Sequence, residues 1–499
     1  MTTTAAPTSI VDPRLRWTTI GALAMVLLAA FEAMAVTTIM PAVSRDLDGQ
    51  ALYSVAFSAT LAASIVGMVL AGRASDRHGP ALPLTTAIGT FLLGLLVAGL
   101  AQAMEVFVVG RFLQGLGGGA LTVCLYVVVA RLYPPALHPR VFGAFAAAWI
   151  VPSMVGPFVA GVVADTLSWH WVFLGVAALV LLALAALVPA LRAMLGADRA
   201  VEGDTDAVVP ADADADAAPS TPGRRRVGAG VAVALAVAVT AGLLILGTSA
   251  ELVPPPWTWA PAGAAVVVVL VAARPLLPRG TLLAAPGLPA TVLIRGTIAA
   301  AYFGTEVYLP LMLQTSYGLS SSGAGLILTV GALAWATGSN LQARLVRVPP
   351  GRILQVGAGM VLAGVGIQIA TAAFDLGPWV AGGGWLVAGL GMGTSYPRIT
   401  TLVLARSTRA DQGANSSALS ISDAIGGAAA TAVAGLVLGA LAGVGGTRQF
   451  LGGFAVALTA AVCSVLVAAR AGRSATTTAQ QAAGAPGETP GASPTSSDA

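Results

Sequence analysis

Lysine does not occur in this 499-residue chain, and charge of any kind is scarce, with Asp, Glu and Arg together making 9% of the residues. Without lysine there is no Gly-x-x-x-x-Gly-Lys loop to cradle phosphates, which excludes that route to ATP as an energy source. Three histidines and two cysteines supply no metal-spaced cluster. Cys124 and Cys463 both sit in apolar runs, where a packed thiol is the simplest reading. No cofactor or metal is expected, and an enzyme is disfavoured. The shortage of charge decides the class: at 57% hydrophobic residues and a mean hydropathy of +0.85, the polar surface cannot cover a soluble globule. The net charge of +4 is too modest to imply nucleic acid.

What is present is a series of apolar runs about 20 residues long, the length of a helix across a ~30 Å hydrocarbon core. They lack the two-residue alternation of barrel strands. The expected fold is all-α and integral to the membrane. A tail over 1–16 precedes span 1, roughly Trp17 to Pro41. Ala33-Met34-Ala35 has the small-residue pattern of a signal cleavage site, but the run stays apolar to Met40 and reads as a span. Five more spans complete a first set within 17–195. Residues 196–226, Asp-, Ala- and Pro-rich and ending in Arg224-Arg225-Arg226, read as a linker. Two runs follow within 227–276, then a second set of six within 287–470, then a polar, disordered tail over 473–499.

All 25 basic residues are arginine, and they alternate with the spans. Placing the N-terminus inside puts nearly all of them in cytoplasmic loops; only Arg45 and Arg448 fall outside, with Arg111, Arg295 and Arg398 inside spans. Basic residues favour short cytoplasmic loops, so both termini are expected in the cytoplasm of a multi-pass plasma-membrane protein. Internal repetition supports two bundles. Gln114-Gly115-Leu116-Gly117-Gly118-Gly119 in span 4 is echoed by Ala388-Gly389-Leu390-Gly391-Met392-Gly393 in span 12. Spans 1–6 and 9–14 are then repeats and spans 7 and 8 an inserted, peripheral pair, with substrate expected at the repeat interface near the midplane.

Between spans 2 and 3 lies Gly72-Arg73-Ala74-Ser75-Asp76-Arg77-His78-Gly79, read as a polar turn. Gly72 and Gly79 permit close approach and tight reversal, and Asp76 can cap a helix start. In span 4, Arg111, Gln114, Gly115 and Gly118 share one face at i, i+3, i+4, i+7. An embedded arginine is costly unless it faces a cavity or a partner; snorkelling to the outer surface is the alternative. Span 5 carries Pro152, Gly156, Pro157 and Gly161, which should bend it and allow a neighbour close. Glu32 in span 1, Glu306 in span 9 and Asp423 in span 13 are embedded acids, the last near the inner end, where solvent access is as good an explanation.

These stretches resemble the major facilitator superfamily. The Gly72, Asp76, Arg77 and Gly79 spacing is similar to its signature loop, although Pro80 and Ala81 stand where basic residues are usual. Arg111-Phe112-Leu113-Gln114-Gly115 is similar to its Arg-x-x-Gln-Gly pattern, and the span 5 stretch to its antiporter pattern, with Pro152 and Ala160 replacing glycines. Tyr308-Leu309-Pro310 with Gln314 resembles the fourteen-span drug/proton antiporters, in which an Asp stands nine residues before a span 1 proline, as Glu32 stands before Pro41. The resemblance implies a major facilitator fold of two six-helix bundles plus two inserted helices. It further implies a proton-coupled exporter of amphipathic or cationic small molecules. Glu32, Arg111, Glu306 and Asp423 would then serve coupling or substrate, Gly72 to Gly79 conformational switching, and Pro152 to Gly161 a hinge. Its partners would be a small-molecule substrate, protons and the lipid bilayer, and it is expected to act as a monomer. Uptake of a metabolite by proton symport and a non-transporting receptor or scaffold are the alternatives.

Overall fold

The computed structural model describes residues 9–483 except 14, 135–136, 204–227, 253–256, 346 and 408–410. Most of the expected linker, the Arg224 to Arg226 run, the Pro254 to Pro256 turn and the stretch from 484 lie outside the described residues. Those described form helices and connecting turns with no strand. The helices are α1 (Arg16–Asp46), α2 (Tyr53–His78), α3 (Ala81–Gly99), α4 (Met104–Leu132), α5 (His138–Thr166), α6 (His170–Gly203), α7 (Ala229–Leu252) and α8 (Trp259–Ala273). After them come α9 (Leu288–Glu306), α10 (Leu309–Thr315), α11 (Ser321–Arg344), α12 (Pro350–Phe374), α13 (Pro378–Ala405), α14 (Gln412–Ala440) and α15 (Leu451–Ala483). Eleven of them are long and apolar enough to cross a membrane.

The fifteen helices answer to fourteen expected spans because span 9 is split. Pro310 has no N–H to give the carbonyl of Glu306 four residues earlier, so α9 stops there and α10 restarts at Leu309. Two boundaries move. α6 runs on to Gly203, past 195, and α15 to Ala483, past 470, where the sequence suggested disorder. The α15 extension is rich in alanine, which costs the helix least. A third correction concerns Gly72 to His78, expected as a turn. It forms the last two turns of α2, and only Gly79, at φ +73°, leaves the helix.

Helices α1 to α6 pack on one another, α2 and α3 against α4, and α1 against α5 and α6. In the other half α13 packs against α11 and α12, and α9 against α14 and α15. The halves meet along two seams, α5 on α11 and α2 on α14, and α7 lies against both helices of the second seam with α8 behind it. The glycine echo is a packing echo. Gly115 and Gly119 lie on the backbone of α2 at Thr60 and Ser64, and Gly389 and Gly393 on the backbone of α11 at Gly331 and Trp335. Side chains at these glycines would strike a neighbouring main chain, so each half depends on them for its tightest crossing.

Candidate functional site

Helices α1 and α4 bring Glu32 and Arg111 together deep in the first half. Both are buried, at 4% and 3% exposure. The Arg111 guanidinium pairs with the Glu32 carboxylate through Nη1, and the same nitrogen donates to Gln114 Oε1 at 2.9 Å. Its Nε donates to the Ala56 carbonyl of α2 at 3.4 Å, and the Arg111 carbonyl accepts from Thr60 Oγ1 at 3.1 Å. The i, i+3 spacing of Arg111 and Gln114 puts both on one face, as read from the sequence. Arg111 therefore points to a partner inside rather than snorkelling. The Gln114 amide nitrogen is buried without an acceptor. Gly115 and Gly118 stay out of the polar set: the first packs on Thr60, the second beside Phe91 of α3.

A second ion pair lies in the other half. Gly296 and Gly426 let α9 and α14 approach to backbone contact, which sets Arg295 beside Asp423. Arg295 Nε donates to Asp423 Oδ1 at 2.9 Å, Tyr396 of α13 donates its hydroxyl to the same oxygen, and the guanidinium carbon lies 3.3 Å from the Tyr396 ring centroid. Arg295 also reaches Thr400 Oγ1 at 3.4 Å. Among the described residues Arg398 takes no carboxylate; it donates to the Gln342 carbonyl at 3.1 Å. Glu306, the third acid, is 7% exposed and is in neither ion pair.

The hydrogen bonds that join the halves gather at one end, where α1 finishes and α2 begins. Tyr53 donates to the Val307 carbonyl at 2.9 Å, and Gln314 Nε2 to the Thr38 carbonyl at 2.9 Å. Asp165 at the end of α5 accepts from the backbone N–H groups of Ser321 and Ser322, at 3.2 and 2.8 Å, and so satisfies the exposed start of α11. Pro157 and Gly161, buried in an unbroken α5, lie against the α11 backbone at Gly325 and Ser321. Pro152 and Gly156 are buried on the same helix, and a Cβ on Gly156 would sit 3.5 Å from Phe31 of α1. Tyr126 of α4 is half exposed and meets Phe142 of α5 edge-on, with ring centroids 5.3 Å apart.

The signature stretch sits apart from these clusters. Asp76 and Arg77 are exposed in the final turn of α2, and α3 has no side-chain cap, so Asp76 does not fill the capping role expected of it. Arg131 of α4 donates to the Ser75 carbonyl at 3.2 Å instead. Sequence reasoning missed Asp165, Tyr302, Trp335, Trp385 and Tyr396. Only Tyr302, four residues before Glu306 on one helix face, carried a readable signal.

An all-helical body of two packed halves, with ion pairs buried among apolar helices, has the build of a multi-pass membrane transporter. The family model of the Major Facilitator Superfamily matches residues 22–431, and the chain belongs to that superfamily, whose members are transporters and not enzymes. Multidrug resistance protein 3 of Bacillus subtilis (strain 168) is 30% identical over 158 residues, 32% of this chain and 31% of that protein. Multidrug transporter protein MdtP of the same organism is 24% identical over 430 residues, 85% of this chain and 75% of that one. The matches to the first curated relatives span about a quarter to a third of their length. Among solved structures, a D-xylose-proton symporter has a TM-score of 0.61 at 15% identity, covering 90% of this chain and 96% of that one. The peptide transporter POT in complex with sulfate has a TM-score of 0.62 at 15% identity, covering 91% and 95%. At that identity they share the fold.

Proposed function

We propose that this transporter exports amphipathic or cationic small molecules in exchange for protons, by alternating access, with Glu32 as the coupling acid. The observation that carries the reading is the buried Glu32, Arg111 and Gln114 cluster on α1 and α4. A carboxylate held there by a single guanidinium has two states. When charged it ties α1 to α4. When protonated it frees Arg111, which keeps Gln114 and the Ala56 carbonyl as acceptors. A proton entering from outside and leaving inside would thus alternately loosen and tighten the first half, while cargo moves the other way. By the arginine distribution the joined end of the molecule is the outer one, both termini are cytoplasmic, and the conformation is closed to the outside of the plasma membrane. The names of the two Bacillus subtilis relatives support drug export as the cargo class.

The test uses inverted vesicles with an acidified lumen. Export by antiport is expected to load a lipophilic cation into them, and Glu32→Gln to abolish the proton-driven part while the protein remains folded. If that variant keeps the pH dependence of the parent, Glu32 is not the coupling acid and Glu306 or Asp423 takes its place. Accumulation driven by the opposite gradient would instead identify symport.

A further inference from the structure

Helix α11 opens with the N–H groups of Ser321, Ser322 and Gly323, which have no carbonyl one turn back to meet. Its own chain satisfies the third: Ser320, at the cap, accepts from Gly323 through Oγ at 3.1 Å. The other two go to a side chain 156 and 157 residues earlier, Asp165, whose Oδ1 and Oδ2 take one each. The carboxylate also faces the positive end of the α11 dipole. A helix start that borrows its cap from the opposite half is complete only while the halves touch.

Asp165 stands on the face of α5 that meets α11. Pro157, Gly161 and Asp165 follow one another at four-residue spacing, and the first two lie on the α11 backbone at Gly325 and Ser321. Close packing of this kind fixes where the helices cross but holds them by dispersion alone. Two other hydrogen bonds join the halves at this end, from Tyr53 to the Val307 carbonyl and from Gln314 to the Thr38 carbonyl, and both are buried and link neutral groups. Those of Asp165 are charge-assisted, which makes each about twice as strong as a neutral one. Asp165 is also exposed at the rim. Water can therefore take over the carboxylate and both N–H groups as they part, so the contact holds this end shut yet breaks within a transport cycle.

We infer that Asp165 is the latch of this end: by capping α11 from α5, its carboxylate sets how often the two halves part there. It is a positioning residue that acts through the start of α11. Without the carboxylate, the Ser321 and Ser322 N–H groups lose their acceptor in the closed form, whereas in the open form water serves them as before. The equilibrium then moves toward opening. The inference holds for antiport and symport alike and requires nothing of Glu32, since it concerns only the free energy of closing this end.

The test is the rate at which a maleimide modifies Thr38→Cys, a position fully buried at this end, in the purified full chain with Cys463 replaced by serine. Asp165→Ala is expected to raise that rate about tenfold or more, the scale of two charge-assisted hydrogen bonds exchanged for water. Asp165→Asn, which keeps an acceptor without the charge, should fall between it and the parent. Ser321→Pro removes one donor from the other side of the contact. Ser320 is extended, at ψ 164°, and position 321 is the first of the helix, so proline fits the backbone there. Alone it should raise the rate less than Asp165→Ala does. Added to Asp165→Ala it should bring no further rise, because the acceptor of that N–H is already gone. Effects that multiply would mark a general loosening and overturn the inference, as would a parent-like rate in Asp165→Ala. Should Asp165→Ala fail to fold, Asp165→Asn and Ser321→Pro decide, and a parent-like rate in either overturns it. The measurement uses no proton gradient, so failure of coupling at Glu32 leaves it intact, and failure here leaves coupling at Glu32 intact.

Discussion

Arg111 has three partners through its side chain and Glu32 has one, so the two halves of their ion pair are unequally placed to lose it. Removing one member of a buried pair leaves an uncompensated charge, typically at a cost of about 3–5 kcal/mol. Arg111→Ala is therefore expected to lower the melting temperature in detergent well below that of the parent. Adding Glu32→Gln removes the stranded charge and should recover a large part of the loss, because contacting residues do not act additively. If the double variant melts as low as the two single losses summed, the residues are not coupled. Asp76, exposed at the end of α2 and in neither of the two ion pairs, offers the contrast. Asp76→Asn is expected to slow turnover while leaving substrate affinity nearly unchanged, as transport rates against concentration will show. A large loss of affinity at constant maximal rate would move this stretch into the binding site.

At the scale of helices, the end where the halves are hydrogen-bonded depends on α5 and α11 meeting without side chains between them. A Cβ on Gly161 would fall 2.6 Å from the Ser321 carbonyl oxygen and the Ser322 Cα, both main-chain atoms that cannot turn aside. Gly161→Val is thus expected to hold this end apart. A cysteine at Thr38, fully buried in the parent, should then become reactive to a membrane-impermeant thiol reagent, with Cys463 first replaced by serine. Unchanged protection of that cysteine would mean that the crossing is not what keeps the end shut. The sequence made the crossing glycines visible because small residues recur at helical spacing in apolar runs. It left their partners unread, since the α5 contact falls some 160 residues along the chain. The same separation hid the pairing of Arg295 with Asp423, 128 residues apart, and of Tyr302 with Trp335 and Trp385. Glu32 and Arg111 were legible as polar groups misplaced in lipid-length runs. Asp165 was not, because an acid at a helix end reads as solvated until the start of α11 is known to face it.

For the whole molecule, alternating access requires the two seams to open in turn, and α7 lies across one of them. The inserted pair was readable as an insertion because it breaks the echo between the sets of six, but nothing in its uniform apolar sequence told which faces it covers. Thr240 of α7 donates to the Ala62 carbonyl of α2 at 2.7 Å, a directed bond to the first half. Toward the second half the contact described for α7 is apolar, with Leu246 packed among Ala432 and Leu436 of α14. A hydrogen bond in an apolar medium resists shear more than methyl contacts do, so α7 should travel with α2 and slide against α14. A Cβ at Gly247 would lie 3.8 Å from that of Ala432, and the nearer Ser58 Oγ, at 3.2 Å, belongs to a side chain that can rotate. That separation suits a disulfide. With Cys124 and Cys463 replaced, the pair Gly247→Cys and Ala432→Cys is expected to crosslink under mild oxidation and to stop transport, and reduction should restore it. Either cysteine alone should transport in both conditions. Full transport by the crosslinked protein would show that α7 and α14 do not move relative to each other, which would place the inserted pair with the second half during the cycle.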